Sequence, residues 1–162
     1  MPEIPEFWRT EVWHPLSVHL PIGILLAAVL FKFMQRIQPK SMWNLGGSIL
    51  LYLGTTAAWI SIYTGNLADG IVSRHLCDPT ILKDHENMAY LTAWLFTAAA
   101  ALDLLQFLGS RILKMQVLSW MVVVLMLVAT GFLTYAGHLG ASLVYQQAAG
   151  VHIPSEDCAE FE

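Results

Sequence analysis

Four long apolar segments divide the chain, at residues 16–33, 42–63, 88–109 and 115–137. Each is roughly 20 residues long, which at about 1.5 Å rise per helical residue matches the ~30 Å hydrocarbon core of a bilayer. Backbone N–H and C=O groups in lipid must be satisfied within the segment, so each segment is predicted to be a helix. The pattern predicts an all-α integral membrane four-helix bundle. We assign residues 1–151 to one transmembrane domain and residues 152–162 to an acidic C-terminal tail.

The polar stretches between the segments predict how the helices begin and end. The second connection, at about residues 64–85, is long for a helical bundle. Within it, Asp78 followed by Pro79 is typical of a helix start, so the third helix is predicted to begin near residue 79 and to carry His85. Residues 139–149 are mildly amphipathic and are predicted to lie flat on the membrane surface. No internal repeat is apparent in the sequence.

Composition and charge agree with a membrane protein and predict its orientation. Only 12% of the residues are charged and 56% are apolar, whereas a soluble domain carries about 25% charged residues. The acidic N-terminal segment does not resemble a cleavable secretory signal. Basic residues in short connections mark the cytoplasmic side. The first and third connections are predicted to hold five of them: Lys32, Arg36, Lys40, Arg111 and Lys114.

The other side is predicted to hold the three remaining basic residues and eleven of the twelve acids. Both termini are therefore predicted to lie outside the cytoplasm. All six histidines fall on this same side, at helix ends or in connections: His14, His19, His75, His85, His138 and His152. Imidazole is the commonest protein ligand of metals and a usual axial ligand of haem iron. The distribution predicts a metal or haem site near this surface.

Helical geometry limits how these histidines can act together. His14 and His19 are five residues apart, so on a regular helix they point about 140° apart and cannot bind one iron. One of them could bind the iron while the other forms a hydrogen bond to the same cofactor, or each could bind a different cofactor. Small residues, Gly23 below His19 and Gly131 below His138, would let a flat macrocycle approach the backbone. They would equally let two helices pack closely.

The leading predicted metal ligands are on three different helices, namely His19, His85 and His138. His14 is predicted either to ligate or to support the site. His75 and His152 lie outside the predicted helices and are assigned to the surface. Zinc or copper would also accept imidazole ligands, but hydrophobic surroundings with small residues favour a large apolar cofactor. The simpler alternative is that each histidine is a polar cap at the membrane interface.

The two cysteines, Cys77 and Cys158, are predicted to lie on the histidine side. An oxidising compartment would permit a disulfide between them. The competing interpretation is a free or metal-bound pair, because His75 and Cys77 are separated by a single residue. Neither cysteine belongs to a Cys-x-x-Cys-His motif, so covalent haem attachment is not indicated.

Asp103 is the one acidic residue inside a predicted span. It lies 18 residues after His85, which is five helical turns, and so shares its face about 27 Å away. An intramembrane carboxylate is a candidate functional group by default. The alternative is that Asp103 lies near the inner interface and pairs with a basic residue such as Lys32, Arg111 or Lys114.

Residues 14–23, His-Pro-Leu-Ser-Val-His-Leu-Pro-Ile-Gly, resemble the opening motif of a family of small four-helix bacterial membrane proteins. Members of that family also carry a histidine near the start of the third helix, as His85 does here, and end in a stretch similar to residues 137–145. The resemblance covers about residues 12–151. Many members have another residue in place of His138, and relatives often have histidine where this chain has Gln146 and Gln147. Some relatives are joined to Rieske or cytochrome c modules, which implies a redox setting and b-type haem.

The resemblance and the histidines together suggest an electron-transfer subunit, resembling cytochrome b, with one or two b-type haems near the outer face of a bacterial inner membrane. We expect its electron partners to be quinol, or a periplasmic redox protein such as a cytochrome c or a Rieske-type iron–sulfur protein. It would belong to a membrane redox complex, with no catalytic activity of its own and no nucleic-acid partner. The alternative is a haem-free anchor of such a complex. A transporter is supported only by Asp103, and the apparent lack of inverted repeats speaks against it.

Overall fold

Four long helices form the chain in the computed structural model, which describes residues 6–109, 115–153 and 156. They are α1 (Trp13–Ile37), α2 (Ser41–Val72), α3 (Thr80–Phe107) and α4 (Met115–Gln147). Single turns of 3-10 helix, Thr10–Val12 and Ser73–His75, precede α1 and follow α2. All four helices are long and apolar enough to cross a membrane. The predicted all-α four-helix membrane fold is confirmed.

The helices pack as two antiparallel hairpins, α1 with α2 and α3 with α4. The hairpins meet through α2 against α3 and, less extensively, through α1 against α4. Consequently α1 and α3 face each other across the diagonal of the bundle, where only their longer side chains meet. We call the end at which α1 and α3 begin the histidine end, and the opposite end the lysine end.

The core between these two ends is apolar and closely packed. Its fully buried side chains come from all four helices: Leu25, Ala28, Leu51, Phe96, Ala99, Val122, Met126 and Ala129. Outside the core, large apolar side chains such as Leu20, Leu53 and Val124 are exposed on the surface of the bundle. This distribution suits lipid, in which apolar side chains gain nothing by turning inward.

Three of the helices, α1, α2 and α4, are longer than predicted. α2 continues to Val72, so that the second connection is short, and α4 runs without a break to Gln147. The prediction of a separate surface segment at residues 139–149 is therefore wrong. The 32 residues of α2 span about 48 Å, well beyond the ~30 Å hydrocarbon core. The reason is that hydropathy marks where the bilayer ends, whereas helical hydrogen bonds continue into water.

α3 begins at Thr80, near the predicted residue 79, but the N-cap residue is Pro79 and not the predicted Asp78. Both the backbone N–H and the hydroxyl of Thr80 donate to Asp78 Oδ1, at 2.9 and 2.6 Å. These two hydrogen bonds favour the ionised carboxylate and lower the pKa of Asp78 below its ordinary value. The cap places His85 on the second turn of α3, which confirms that this histidine is helical.

Lys32 does not lie in a connection. It is inside α1, which ends at Ile37, and its side chain is buried in the bundle. The hydropathy profile falls at this residue because lysine is polar, although the helix continues for more than another turn. Lys32 therefore gives no information about orientation. Arg111 and Lys114, two of the other basic residues used for that prediction, lie outside the described residues.

Candidate functional site

Two histidines from diagonally opposite helices meet at the histidine end. His14, in the first turn of α1, and His85, in α3, have ring centroids 6.0 Å apart with their planes at 78°. Both rings are partly buried. Cofactor and metal sites in helical bundles are commonly built in this way, from side chains on facing helices that project inward.

Each of these two rings is fixed by a backbone carbonyl of its hairpin partner. His14 Nδ1 donates to the carbonyl oxygen of Ser61 at 3.0 Å, and His85 Nδ1 donates to that of Ala136 at 2.9 Å. A carbonyl can only accept, so Nδ1 must carry the proton and a neutral ring keeps a free lone pair on Nε2. Within the described residues, neither Nε2 atom has a hydrogen-bond partner. Metal-bound histidines are held by the same arrangement.

Glycines provide the space for both rings. A Cβ placed on Gly65 would lie 3.1 Å from the Cε1 and Nδ1 atoms of His14. A Cβ on Gly140 would lie 3.1 Å from Cε1 of His85. Each glycine lies one helical turn after the carbonyl that binds the ring, so the imidazole packs closely against the neighbouring helix. Any larger residue at these two positions would displace the ring.

Hydroxyl groups near His14 join α1 to α2. Ser17 Oγ lies 2.8 Å from Thr64 Oγ1 and 2.9 Å from the carbonyl oxygen of His14. Thr64 Oγ1 donates to the Ser61 carbonyl, at 2.9 Å, which also accepts from His14. These contacts fix the first turn of α1 against α2 and keep the imidazole in one orientation.

The other two predicted ligands, His19 and His138, are exposed and do not join this pair. His19 donates from Nδ1 to the carbonyl oxygen of Pro15, at 2.7 Å, within its own helix. His138 stacks on Tyr135, with centroids 6.5 Å apart. It is two residues from Ala136, so it points about 200° away from the face of α4 that contacts His85. The structure thus brings His14 and His85 together, whereas the exposed His19 and His138 are not part of this pair.

The small residues predicted to form a slot for a macrocycle also face outward. Gly23 and Gly131 are exposed, and a Cβ on either would meet nothing within 4 Å. Their faces follow those of His19 and His138, which also point away from the bundle axis. These two glycines line the outer surface of the bundle and contact neither of the paired rings.

The remaining predicted surface residues lie near the bundle end. His75 and Cys77 are exposed, and His152 is half-buried. Cys158 lies outside the described residues, so the predicted disulfide stays a prediction. Across residues 6–109, 115–153 and 156, no group of three or more His, Cys, Asp or Glu side chains is arranged to hold a metal ion.

Asp103 forms a buried ion pair with Lys32 at the lysine end. Each residue is 4% exposed. The Lys32 ammonium also donates to Ser48 Oγ, at 2.7 Å, and to Asn44 Oδ1, at 3.2 Å. The Tyr52 hydroxyl donates to the second Asp103 oxygen at 3.0 Å. The structure therefore selects Lys32 among the three basic residues considered as partners of Asp103.

Sequence reasoning missed the carbonyls of Ser61 and Ala136 and the two ring-contacting glycines, Gly65 and Gly140. The carbonyl residue and the glycine are separated by four residues in both α2 and α4, but this shared spacing can be recognised only after the fold shows which residues contact the rings. The carbonyls themselves carry no side-chain signature, and neither glycine is distinguishable by composition from the packing glycines of α2.

Comparison with known proteins gives one family match. The model of a family described as predicted membrane protein, DUF2231, matches residues 11–153. This region contains all four helices and the paired histidines. No curated protein and no solved structure matches the chain significantly.

Proposed function

The chain belongs to the DUF2231 family of predicted membrane proteins, and we propose that it is an electron-transfer subunit that binds b-type haem between His14 and His85. The single observation that carries this proposal is the meeting of two imidazoles across the diagonal of a membrane bundle, each with its Nδ1 proton committed to a carbonyl.

The donor set fits haem iron. A metal bound by two imidazoles holds their nitrogens at about 2 Å each, so the two nitrogens lie about 4 Å apart. Rings whose centroids are 6.0 Å apart can present their Nε2 atoms at such a separation. When bound, haem supplies one-electron chemistry at its iron. His14 and His85 would both hold the iron of a bound haem, which would favour electron transfer over oxygen activation.

The chain's own residues orient the ligands and shield them from water. The carbonyls of Ser61 and Ala136 select the tautomer that leaves Nε2 free to ligate, and hydrogen bonding of this kind raises the basicity of the ligand. Below the rings, the apolar core that includes Leu25 and Phe96 separates the site from the lysine end. A low-dielectric surrounding of this kind tunes the reduction potential of a bound haem.

The position of the pair suggests with whom electrons are exchanged. Both histidines lie at one end of the bundle, and no further histidine lies on the bundle axis toward the other end among the described residues. The subunit alone would therefore not carry electrons across the whole membrane. We propose that it exchanges them at the outer surface, with quinol or with a periplasmic protein such as a cytochrome c or a Rieske-type protein.

One observation favours a second candidate, a haem-free anchor of a redox complex. Both rings already join the helices of their hairpins through the Nδ1 bonds, and both are in close contact with a glycine. In this alternative, the histidines are structural contacts between helices.

The two candidates are separated by comparing four histidine-to-alanine variants of the purified protein from haem-replete cells. We expect His14→Ala and His85→Ala each to lose haem or to convert the low-spin spectrum to high-spin. His19→Ala and His138→Ala are the matched controls, since both are exposed helical histidines, and we expect them to keep the wild-type spectrum. A wild-type protein without haem would favour the anchor, and equal haem retention in all four variants would refute ligation by His14 and His85.

A further inference from the structure

The two hairpins bury equivalent positions, although the sequence shows no obvious repeat. The buried residues of α1 are Pro21, Leu25, Ala28 and Lys32, and those of α3 include Thr92, Phe96, Ala99 and Asp103. Each of these α3 residues lies 71 positions after the corresponding α1 residue. The same displacement relates His14 to His85, the two members of the histidine pair.

The second helices of the hairpins correspond in the same way, with a displacement of 75 residues. Five buried positions of α2 correspond to buried positions of α4: Gly47 to Val122, Leu51 to Met126, Gly54 to Ala129, Ser61 to Ala136 and Ala68 to Leu143. The correspondence extends to the contacts, because Ser61 and Ala136 supply the two carbonyls and the ring-contacting glycines are also 75 residues apart.

The lengths of the connections explain why the two displacements differ. Three residues separate α1 from α2, and seven separate α3 from α4. The difference of four residues equals the difference between 71 and 75. Two copies of one hairpin, with the same orientation along the bundle, therefore lie around a pseudo-twofold axis that runs the length of the bundle. Each site on this axis takes one residue from each copy.

The axis has a second such site at the lysine end, where Lys32 and Asp103 occupy equivalent positions with opposite charges. A buried ion pair contributes little net stability, because desolvation of the two charges offsets their attraction, and its best-attested role is to select one register of packing. We propose that the chain is a duplicated helical hairpin and that the Lys32–Asp103 pair fixes the register of the two copies, which holds His14 opposite His85. This inference does not require haem to bind.

The positions of the ion pair and the histidine pair on the same two helices allow the ion pair to fix the register of the histidines. Lys32 lies 18 residues after His14, and Asp103 lies 18 residues after His85, so each pair is separated by about 27 Å of continuous helix. A slip of one helical turn between α1 and α3 would displace the two imidazoles by about 5.4 Å relative to each other. Hydrogen bonds from Trp59 to Thr97 and from Asn66 to Tyr90 also join α2 to α3. Among the described residues, the Lys32–Asp103 pair is the one salt bridge between the two hairpins.

The test measures distances at the histidine end in the full chain. Spin labels are attached at Leu16→Cys in α1 and Asp84→Cys in α3, both exposed, after both native cysteines are replaced by serine. Pulsed electron paramagnetic resonance gives the distance distribution between the hairpins. The control pair, Leu16→Cys with Tyr63→Cys, reports on α1 and α2 within one hairpin and should not respond.

The first variant replaces the pair by apolar residues of similar size, as Lys32→Met with Asp103→Leu. Because such replacements of buried ion pairs are commonly tolerated, we expect it to fold. We expect its inter-hairpin distribution to broaden or to gain a component shifted by about 5 Å, one helical turn, while the control pair stays unchanged. A single unshifted peak would overturn the proposal. Failure to fold would also overturn it, since the pair would then supply stability rather than register.

The second variant exchanges the two charges, as Lys32→Asp with Asp103→Lys. Equivalence of the two positions predicts that the exchange restores the narrow wild-type distribution, which Lys32→Asp alone should lose. Ser48 and Tyr52, the hydroxyl groups beside the pair, can each donate to a carboxylate or accept from an ammonium. If the exchanged variant behaves like the single variant, the equivalence of the two hairpins is wrong.

Discussion

Replacing Gly65 with alanine tests whether the histidine rings really pack against the neighbouring helix. The new methyl group would lie 3.1 Å from two ring atoms of His14, a few tenths of an ångström inside ordinary contact. The ring can only retreat by turning away from α2, and its Nδ1 is held by the Ser61 carbonyl at 3.0 Å. The substitution therefore strains the side-chain rotamer, weakens the hydrogen bond, or does both.

The expected loss in the free energy of unfolding follows from these two costs, measured against a control variant. An off-rotamer side chain costs about 0.5–1.5 kcal/mol, and a lost hydrogen bond costs about 0.5–1.5 kcal/mol. Alanine is itself about 0.8–1.0 kcal/mol better than glycine in a helix, so the comparison must be with another helical glycine. Gly23→Ala is suitable because its methyl group would meet nothing within 4 Å. We expect Gly65→Ala to be less stable than Gly23→Ala by about 1–3 kcal/mol.

The assay is reversible unfolding in detergent, followed by circular dichroism, for both variants and the wild type. Gly140→Ala and Gly131→Ala form a second matched set on α4, since the methyl group would meet the His85 ring at Gly140 and nothing at Gly131. If the variants at the ring-contacting glycines are as stable as those at the open glycines, the packing argument for the paired histidines fails.

Three further predictions concern other parts of the chain. Lys32→Ala should destabilise the protein by about 3–5 kcal/mol, because Asp103 is left charged and unpaired in the bundle, whereas the apolar double replacement should unfold close to the wild type in the same detergent assay. Asp78→Asn should remove a pH-dependent part of the stability. Because hydrogen bonds lower the pKa of Asp78, its contribution is fully present above the unfolded pKa of about 3.9 and is lost as the pH falls through the lower folded value, so thermal unfolding of wild type and variant should converge in acid. A reporter fused to the C-terminus should be found outside the cytoplasm; a cytoplasmic reporter would invert the proposed orientation.

The number of helices could be predicted from the sequence because lipid imposes a simple rule on chain length and polarity. The ends of the helices could not, because the same rule says nothing about residues beyond the hydrocarbon. α2 and α4 both extend past their apolar segments, and Lys32 interrupts the hydropathy of α1 without ending the helix. A lysine with a buried partner is compatible with a span. The sequence offered three basic residues as partners of Asp103, and the fold shows that the partner is Lys32.

The sequence singled out histidines at this end of the bundle, with His85 among the leading predicted ligands and His14 predicted either to ligate or to support the site. The rotation between His14 and His19 already indicated that these two histidines face different ways. Which of them faces inward depends on how α1 packs on α2, and that is determined by contacts such as Ser17 with Thr64. The prediction favoured His19 because it matches the family motif, lies on a helix and has small residues below it. Those residues lie on the surface of the bundle, where they make no cavity.

The central claim is that His14 and His85 are a pair of haem ligands. One optical measurement tests it most directly: the absorption spectrum of the detergent-purified wild-type protein from haem-replete cells, oxidised and then reduced with dithionite. The account predicts a low-spin b-type spectrum, with haem that is extracted by acid acetone because no Cys-x-x-Cys-His motif attaches it. A colourless protein, or one whose haem remains after His14→Ala and His85→Ala are combined, would contradict it.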